Sequence, residues 1–152
     1  MIVIGIDPGK SGAIAVWDEG IDKAIKCPDS PEKMANIFSS IITNDKIVAY
    51  IEQVHAFPTD ARSSAFKFGK NYGEWLGVLG TLRIKTVHVT PQKWMKHYKE
   101  KFNMALPKDK QQRKRKLKEI AARYTDKKVT LYNADAILIA VYGFIQQQKG
   151  EE

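Results

Sequence analysis

Three carboxylates stand among apolar residues, where ionised side chains are uncommon. Asp7 ends the run Ile-Val-Ile-Gly-Ile, Glu52 ends the run Ile-Val-Ala-Tyr-Ile, and Asp135 lies in the segment Ala-Asp-Ala-Ile-Leu-Ile-Ala. An ionised carboxylate in such surroundings is costly unless it is paired or binds a metal ion. Three together repel one another, and their pKa values rise unless a cation compensates. Mg²⁺ prefers oxygen ligands and keeps waters that substrate phosphates can replace. The three residues therefore predict a magnesium site that acts on phosphate.

Each carboxylate taken singly also allows a structural explanation. Asp7 can begin the turn Asp7-Pro8-Gly9, and Asp135 can be an acid in the first turn of a helix. Glu52 has no comparable explanation. The hairpin at Asp7-x-Gly9 is also typical of actin-like ATPases, which need a second domain to close over nucleotide. Because 152 residues leave no room for one, we predict no nucleotide cofactor.

The elements that would position these residues follow from apolar periodicity. Strands are predicted over 2–6, 13–17, 23–26, 47–51 and 86–89, and the first two form a hairpin. Helices are predicted from Pro31 to about Ile42, over 63–82, from Pro91 onward, over 108–124 and from Ala134 to about Gln146. This order indicates one α/β domain with a mixed sheet, spanning 1–152. If the strands that end in carboxylates are neighbours and the last helix crosses them, all three carboxylates meet at one sheet edge.

The long helix carries glycines at 69, 73, 77 and 80. A glycine within a helix costs about 0.5–1 kcal/mol relative to alanine. Such a stripe is tolerable where another backbone packs closely, so we expect contact with the sheet or with a second copy of this helix. A broken helix is the alternative.

Charge indicates the class of partner. The chain has 25 Lys and Arg against 17 Asp and Glu, a net charge of +8, and basic domains often bind polyanions. A cluster of basic residues lies at Lys93, Lys96, Lys108, Lys110, Arg113, Lys114, Arg115, Lys116 and Lys118. A charged, solvated helix is the alternative for each of them. Phosphate contacts carry little sequence information, so we predict recognition of nucleic-acid structure.

Other features bear on location. The chain has one cysteine, Cys27, which excludes an internal disulfide framework. No apolar run reaches the roughly 18 residues of a membrane span, and the N-terminal apolar stretch lacks the basic segment of a secretory signal. We expect a cytoplasmic protein with no membrane partner, in the cytoplasm of a host cell if the source is viral.

Four motifs in order resemble those of RuvC-type Holliday junction resolvases, and their details look closest to the phage-type branch. The motifs are Ile4-Gly5-Ile6-Asp7-Pro8-Gly9, Ile51-Glu52-Gln53-Val54, Ser64-Ala65-Phe66-Lys67-Phe68-Gly69 and Ala134-Asp135-Ala136-Ile137-Leu138-Ile139-Ala140. The resemblance implies an RNase H-like nuclease domain and a homodimer with two opposed active sites. It also implies Mg²⁺-dependent hydrolysis of four-way DNA junctions that leaves 5′-phosphate and 3′-hydroxyl ends, with Mn²⁺ as a substitute.

The resemblance also implies residue roles. Asp7, Glu52 and Asp135 match metal ligands, and Lys110 matches a basic position near the scissile phosphate. The loop after Glu52 carries an aromatic wedge in bacterial relatives, and His55 or Phe57 could stack on an unpaired base there. Core packing is the alternative for Phe57, and His55 or His97 could carry a proton. The predicted DNA-binding residues are His55, Phe57, Lys93, Lys96, Lys108, Arg113 and Lys114.

The sequence departs from the family pattern at two places. The family commonly has a fourth carboxylate shortly before the last one, where this chain has Leu131, Tyr132 and Asn133. We predict that Asn133 caps the last helix or serves as an oxygen ligand. The family also often has a lysine where Met95 stands. A broader nuclease for flaps and forks, and a junction-binding protein without catalysis, therefore remain alternatives.

Overall fold

The computed structural model describes residues 1–41, 45–53, 55 and 57–150. Its centre is a five-stranded mixed sheet in the order β3-β2-β1-β4-β5. The strands are β1 (Ile2–Asp7), β2 (Ala13–Trp17), β3 (Ile21–Lys26), β4 (Ile47–Glu52) and β5 (Lys85–Val89). β2 is antiparallel to β1 and to β3, whereas β4 is parallel to β1 and to β5. The predicted mixed sheet with an N-terminal hairpin is confirmed.

Within the described residues, five helices flank the sheet: α1 (Pro31–Ile41), α2 (Arg62–Thr81), α3 (Pro91–Lys101), α4 (Lys110–Ala121) and α5 (Ala134–Lys149). Helix α4 begins two residues later than predicted because the side chain of Asp109 accepts a hydrogen bond from the Gln112 amide at 2.9 Å and caps it. Helix α3, which was predicted to begin at Pro91, does so and ends at Lys101. The predicted end of α1 at Ile42 lies outside the described residues. No helix in the described part of the chain is long and apolar enough to cross a membrane.

Alternation along the strands divides the core into two layers. On β1, Ile4 and Ile6 face α1 and α2, where they pack with residues such as Trp75. Val3 on β1 and Tyr50 on β4 face the opposite layer, which is formed by α3, α4 and α5. Strand residues of odd number in β1 and even number in β4 therefore point toward α5.

Helix α5 crosses β1 very closely. Gly5 makes this possible, because a Cβ at that position would overlap the backbone of Ala136 and Ala140. The helix is apolar nearly all round and buried along most of its length, as its composition predicted. The close crossing holds Asp135, in the first turn of α5, near the carboxyl end of β1.

The glycine stripe of α2 does not contact the sheet. The helix is continuous, and it buries Trp75, Val78 and Leu79 on its inner face. Among the described residues, nothing lies within 4 Å of a Cβ placed at any of the four glycines, 69, 73, 77 and 80. The prediction of a broken helix is wrong. The prediction that the glycines pack closely against the sheet is also wrong, because larger side chains such as Trp75 occupy the inner face of α2. Contact with a second copy of the helix stays a prediction.

Candidate metal and nucleic-acid site

Three elements bring the carboxylates to one edge of the sheet. In the parallel pairing of β1 with β4, Ile6 lies opposite Ile51, and the next residue on each strand is Asp7 and Glu52. Both residues continue the side-chain pattern that points toward α5. Asp7, Glu52 and Asp135 line a single cleft with a volume of about 1120 Å³.

Burial and mutual repulsion make the ionised state of this cluster costly. Burial raises the pKa of Asp7 well above its usual range, the charges of Glu52 and Asp135 raise it further, and Lys114 opposes the rise. Burial raises the pKa of Glu52 to about 7. It raises the pKa of Asp135 to about 6, against the influence of Lys114 and Arg113. A cation in the cleft would relieve both the desolvation and the repulsion.

The backbone of Asp7 is held by its neighbours in the fold. The Cys27 thiol donates a hydrogen bond to the Asp7 carbonyl at 3.2 Å. Burial raises the pKa of this thiol to about 12, so it remains a protonated donor at neutral pH. Gly12 lies so close to the same carbonyl that a Cβ there would overlap it. The end of β1 therefore presents Asp7 from a constrained position.

The donor set fits a hard divalent cation. It consists of carboxylate oxygens, which suit Mg²⁺ and Mn²⁺, and Asp7, Glu52 and Asp135 would hold the ion. In this conformation, no three His, Cys, Asp or Glu side chains within the described ranges are close enough together to bind one ion. Three carboxylates repel at short range unless a cation lies between them. The three carboxylates therefore fit a divalent cation because they supply oxygen ligands and line the same cleft.

Lysines share the lining of the cleft with the three carboxylates. Lys110 and Lys114, one helical turn apart on α4, both line it. Sequence analysis missed the others because they come from the hairpin, β3, α1 and α2 rather than from the basic cluster: Lys10, Lys26, Lys33, Lys67 and Lys70. Two of these pair with acids, Lys33 with Asp29 at 2.8 Å and Lys70 with Glu74 at 3.9 Å. A cleft lined by these lysines together with three carboxylates is suited to a polyanion whose phosphate approaches a metal ion.

Most of the predicted DNA-binding residues lie outside this cleft. His55 and Phe57 are both exposed, and their ring centroids lie 4.8 Å apart. Because the Phe57 side chain is 59% exposed, the alternative that it packs in the core is wrong. Lys96 forms an ion pair with Glu100 at 3.7 Å.

The remaining basic residues and His97 have other surroundings. Lys93 and Lys108 are exposed on α3 and before α4. Arg113 donates to the Lys108 carbonyl at 2.9 Å. His97 packs between Tyr98 and Tyr142, so it is not placed to exchange a proton in the cleft.

The side chain of Asn133 makes structural hydrogen bonds near the start of α5. It stands at the start of α5, but its side chain makes no capping hydrogen bond, so that prediction is wrong. Instead its Oδ1 accepts from the Thr130 amide at 2.8 Å, and its Nδ2 donates to the carbonyls of Lys128 at 3.1 Å and Ala24 at 3.4 Å. Asn133 does not line the cleft, and its Oδ1 already accepts the hydrogen bond from Thr130. In this conformation Asn133 is therefore not positioned as a metal ligand.

Comparison with solved structures identifies the fold. The chain is similar to RuvC of Thermus thermophilus in complex with a Holliday junction substrate, with a TM-score of 0.66 and 15% identity over 99% of this chain and 96% of that one. A second T. thermophilus RuvC structure gives a TM-score of 0.65 and 14% identity, over 99% and 98% of the two chains. Neither protein-family models nor curated protein sequences match the chain. The predicted RNase H-like fold of RuvC is confirmed.

Proposed function

We propose that this protein is a metal-dependent endonuclease that resolves four-way DNA junctions. The observation that supports this most strongly is that Asp7, Glu52 and Asp135 line one cleft together with several lysines. The fold it shares with RuvC, one of whose structures contains a Holliday junction substrate, favours the same substrate class. The net charge of +8 provides for sequence-independent binding to phosphates.

In the proposed reaction, the three carboxylates hold Mg²⁺, and Mn²⁺ substitutes for it. When bound, the ion would supply positive charge for the phosphate and would lower the pKa of a water. Lys110 and Lys114 line the same cleft as the carboxylates, and they would neutralise charge that develops on the phosphate. Lys114 also favours the ionised forms of Asp7 and Asp135, because it opposes the rise in their pKa values. Hydrolysis leaves a 5′-phosphate and a 3′-hydroxyl.

The proposal includes a homodimer, because paired cuts in opposed strands require two active sites. The exposed glycine face of α2 supports this arrangement. Its glycines recur on one side of the helix and leave room for a second backbone to approach. Phe66, three residues before Gly69, is 72% exposed at the end of the same face. A second copy of α2 would cover these groups.

Cleavage of a labelled, immobile four-way junction tests the proposal. Flap, fork and linear duplexes serve as substrate controls, and each reaction is run in Mg²⁺ and in EDTA. We expect symmetric paired nicks on the junction in Mg²⁺ and none in EDTA. Cleavage by Asp7→Asn should be at least about 100-fold slower than cleavage by the wild type. Asp126→Asn, which alters an exposed acid outside the cleft, is the matched control and should cut normally.

The other outcomes separate the alternatives. Equal cleavage of flaps and forks would identify a broader branched-DNA nuclease. Tight junction binding without cleavage in either Mg²⁺ or Mn²⁺ would identify a non-catalytic binding protein. Unimpaired cleavage by Asp7→Asn would refute the proposed active site.

A further inference from the structure

We infer that Trp94 is a positioning residue for Glu52: its indole N–H holds one carboxylate oxygen and leaves the other for the metal ion. The inference deepens the proposed function, because it rests on the role of Glu52 as a ligand. Trp94 lies on α3, outside the cleft lining. It therefore acts through Glu52 and has no direct contact with substrate.

The contact itself is short and shielded from water. Trp94 Nε1 donates to Glu52 Oε2 at 2.7 Å, and the Trp94 side chain is fully buried. Its ring packs against Tyr98, with centroids 6.3 Å apart. In such surroundings a hydrogen bond to an ionised acceptor is strong, and the fixed ring allows the N–H only a narrow range of directions.

The strand order explains why the indole reaches Glu52. Glu52 pairs with Val89 across β4 and β5, and the Gln53 amide donates to the Val89 carbonyl at 2.8 Å. Thr90 alone separates β5 from α3, and its Oγ1 caps the helix by accepting from the Lys93 amide at 3.2 Å. The first turn of α3 is thereby fixed beside the end of β4, and Trp94 directly follows Lys93, the residue whose amide bonds to the cap.

The chemistry of indole suits this task. Its N–H is a donor only, carries no charge and does not titrate near neutral pH. It can thus orient a carboxylate without neutralising it and without competing for the metal. A lysine at the same place would form an ion pair and oppose cation binding. Loss of such a partner behind a metal ligand typically weakens metal binding by about 10–100-fold.

Metal binding in the absence of DNA tests the inference. Mn²⁺ is titrated calorimetrically into the wild-type protein, Trp94→Phe and Trp17→Phe. Phenylalanine keeps most of the ring volume and removes the donor. Trp17 is the matched control because it stacks on Phe144 away from the cleft, with centroids 4.9 Å apart, and its Nε1 has no partner within the described residues. We expect about 10–100-fold weaker binding for Trp94→Phe and less than twofold change for Trp17→Phe.

Two further measurements separate positioning from packing. In the first, Trp94 is replaced with an isosteric amino acid in which a sulfur atom takes the place of the indole N–H. This replacement should weaken Mn²⁺ binding as much as Trp94→Phe does. The second follows the indole ¹H–¹⁵N resonances, where Mg²⁺ and Glu52→Gln should each move the Trp94 signal and leave the Trp17 signal in place. If the protein with the sulfur isostere folds and binds Mn²⁺ as tightly as wild type, the proposed role of Trp94 is overturned and the metal site is not. Absence of Mn²⁺ binding by the wild type would overturn the metal site, and the role of Trp94 with it.

Discussion

Replacing Glu52 with glutamine should stabilise the metal-free protein while it abolishes cleavage. Burial raises the pKa of Glu52 from 4.5 to about 7, so folding disfavours the ionised form. Each pKa unit corresponds to about 1.36 kcal/mol, which makes the cost about 3 kcal/mol above pH 8. Glutamine removes the charge and keeps a carbonyl oxygen that can accept from Trp94.

The sign of the pH dependence follows from the raised pKa. The destabilisation by Glu52 is complete above its folded-state pKa of about 7, and it is relieved as the pH falls toward 4.5. The advantage of Glu52→Gln should therefore be about 3 kcal/mol at pH 8.5 and about 1 kcal/mol or less at pH 5. For a chain of this size, 3 kcal/mol raises the melting temperature by about 6–12 °C.

Thermal denaturation in EDTA at several pH values measures the effect. Glu100→Gln, which alters an exposed glutamate on α3, is the matched control. Saturating Mg²⁺ should stabilise the wild type by mass action and reverse the order of the two proteins. If Glu52→Gln melts no higher than wild type at pH 8.5 in EDTA, burial of an ionised Glu52 is not costly and the reasoning fails.

Three further predictions concern the rim, the core and the dimer. Replacing both Lys110 and Lys114 with glutamine should weaken junction binding, as measured by fluorescence anisotropy. The slope of log binding constant against log salt concentration should become shallower by about 1.8. The control Lys127→Gln lies outside the cleft and should leave this slope unchanged. Gly5→Ala should lower the unfolding free energy by about 3 kcal/mol in urea denaturation, because its Cβ meets the backbone of α5. If the protein is the proposed homodimer, Gly73→Leu should convert it to a monomer in analytical ultracentrifugation, and an unchanged dimer would exclude the glycine face as the interface.

Much of the fold could be predicted from local patterns. Buried strands such as 2–6 and 47–51 consist of β-branched and other apolar residues, and α5 is apolar on nearly every side, so these elements are evident without knowledge of their neighbours. The same contrast singled out Asp7, Glu52 and Asp135, because a carboxylate among apolar residues is conspicuous in a linear sequence. Element type and the candidate ligands thus followed from interactions within a few residues.

The tertiary structure alone decided what surrounds those ligands. Lys10 and Lys67 belong to separate segments, and both line the cleft only because the fold brings the hairpin and α2 to the same edge of the sheet. Trp94 donates to a residue 42 positions away, a relation that helical periodicity cannot report. Asn133 resembled a helix cap, but contacts with Ala24 and Thr130 determine its orientation. Periodicity shows which face of an element is buried, whereas the partner on that face depends on how distant segments pack.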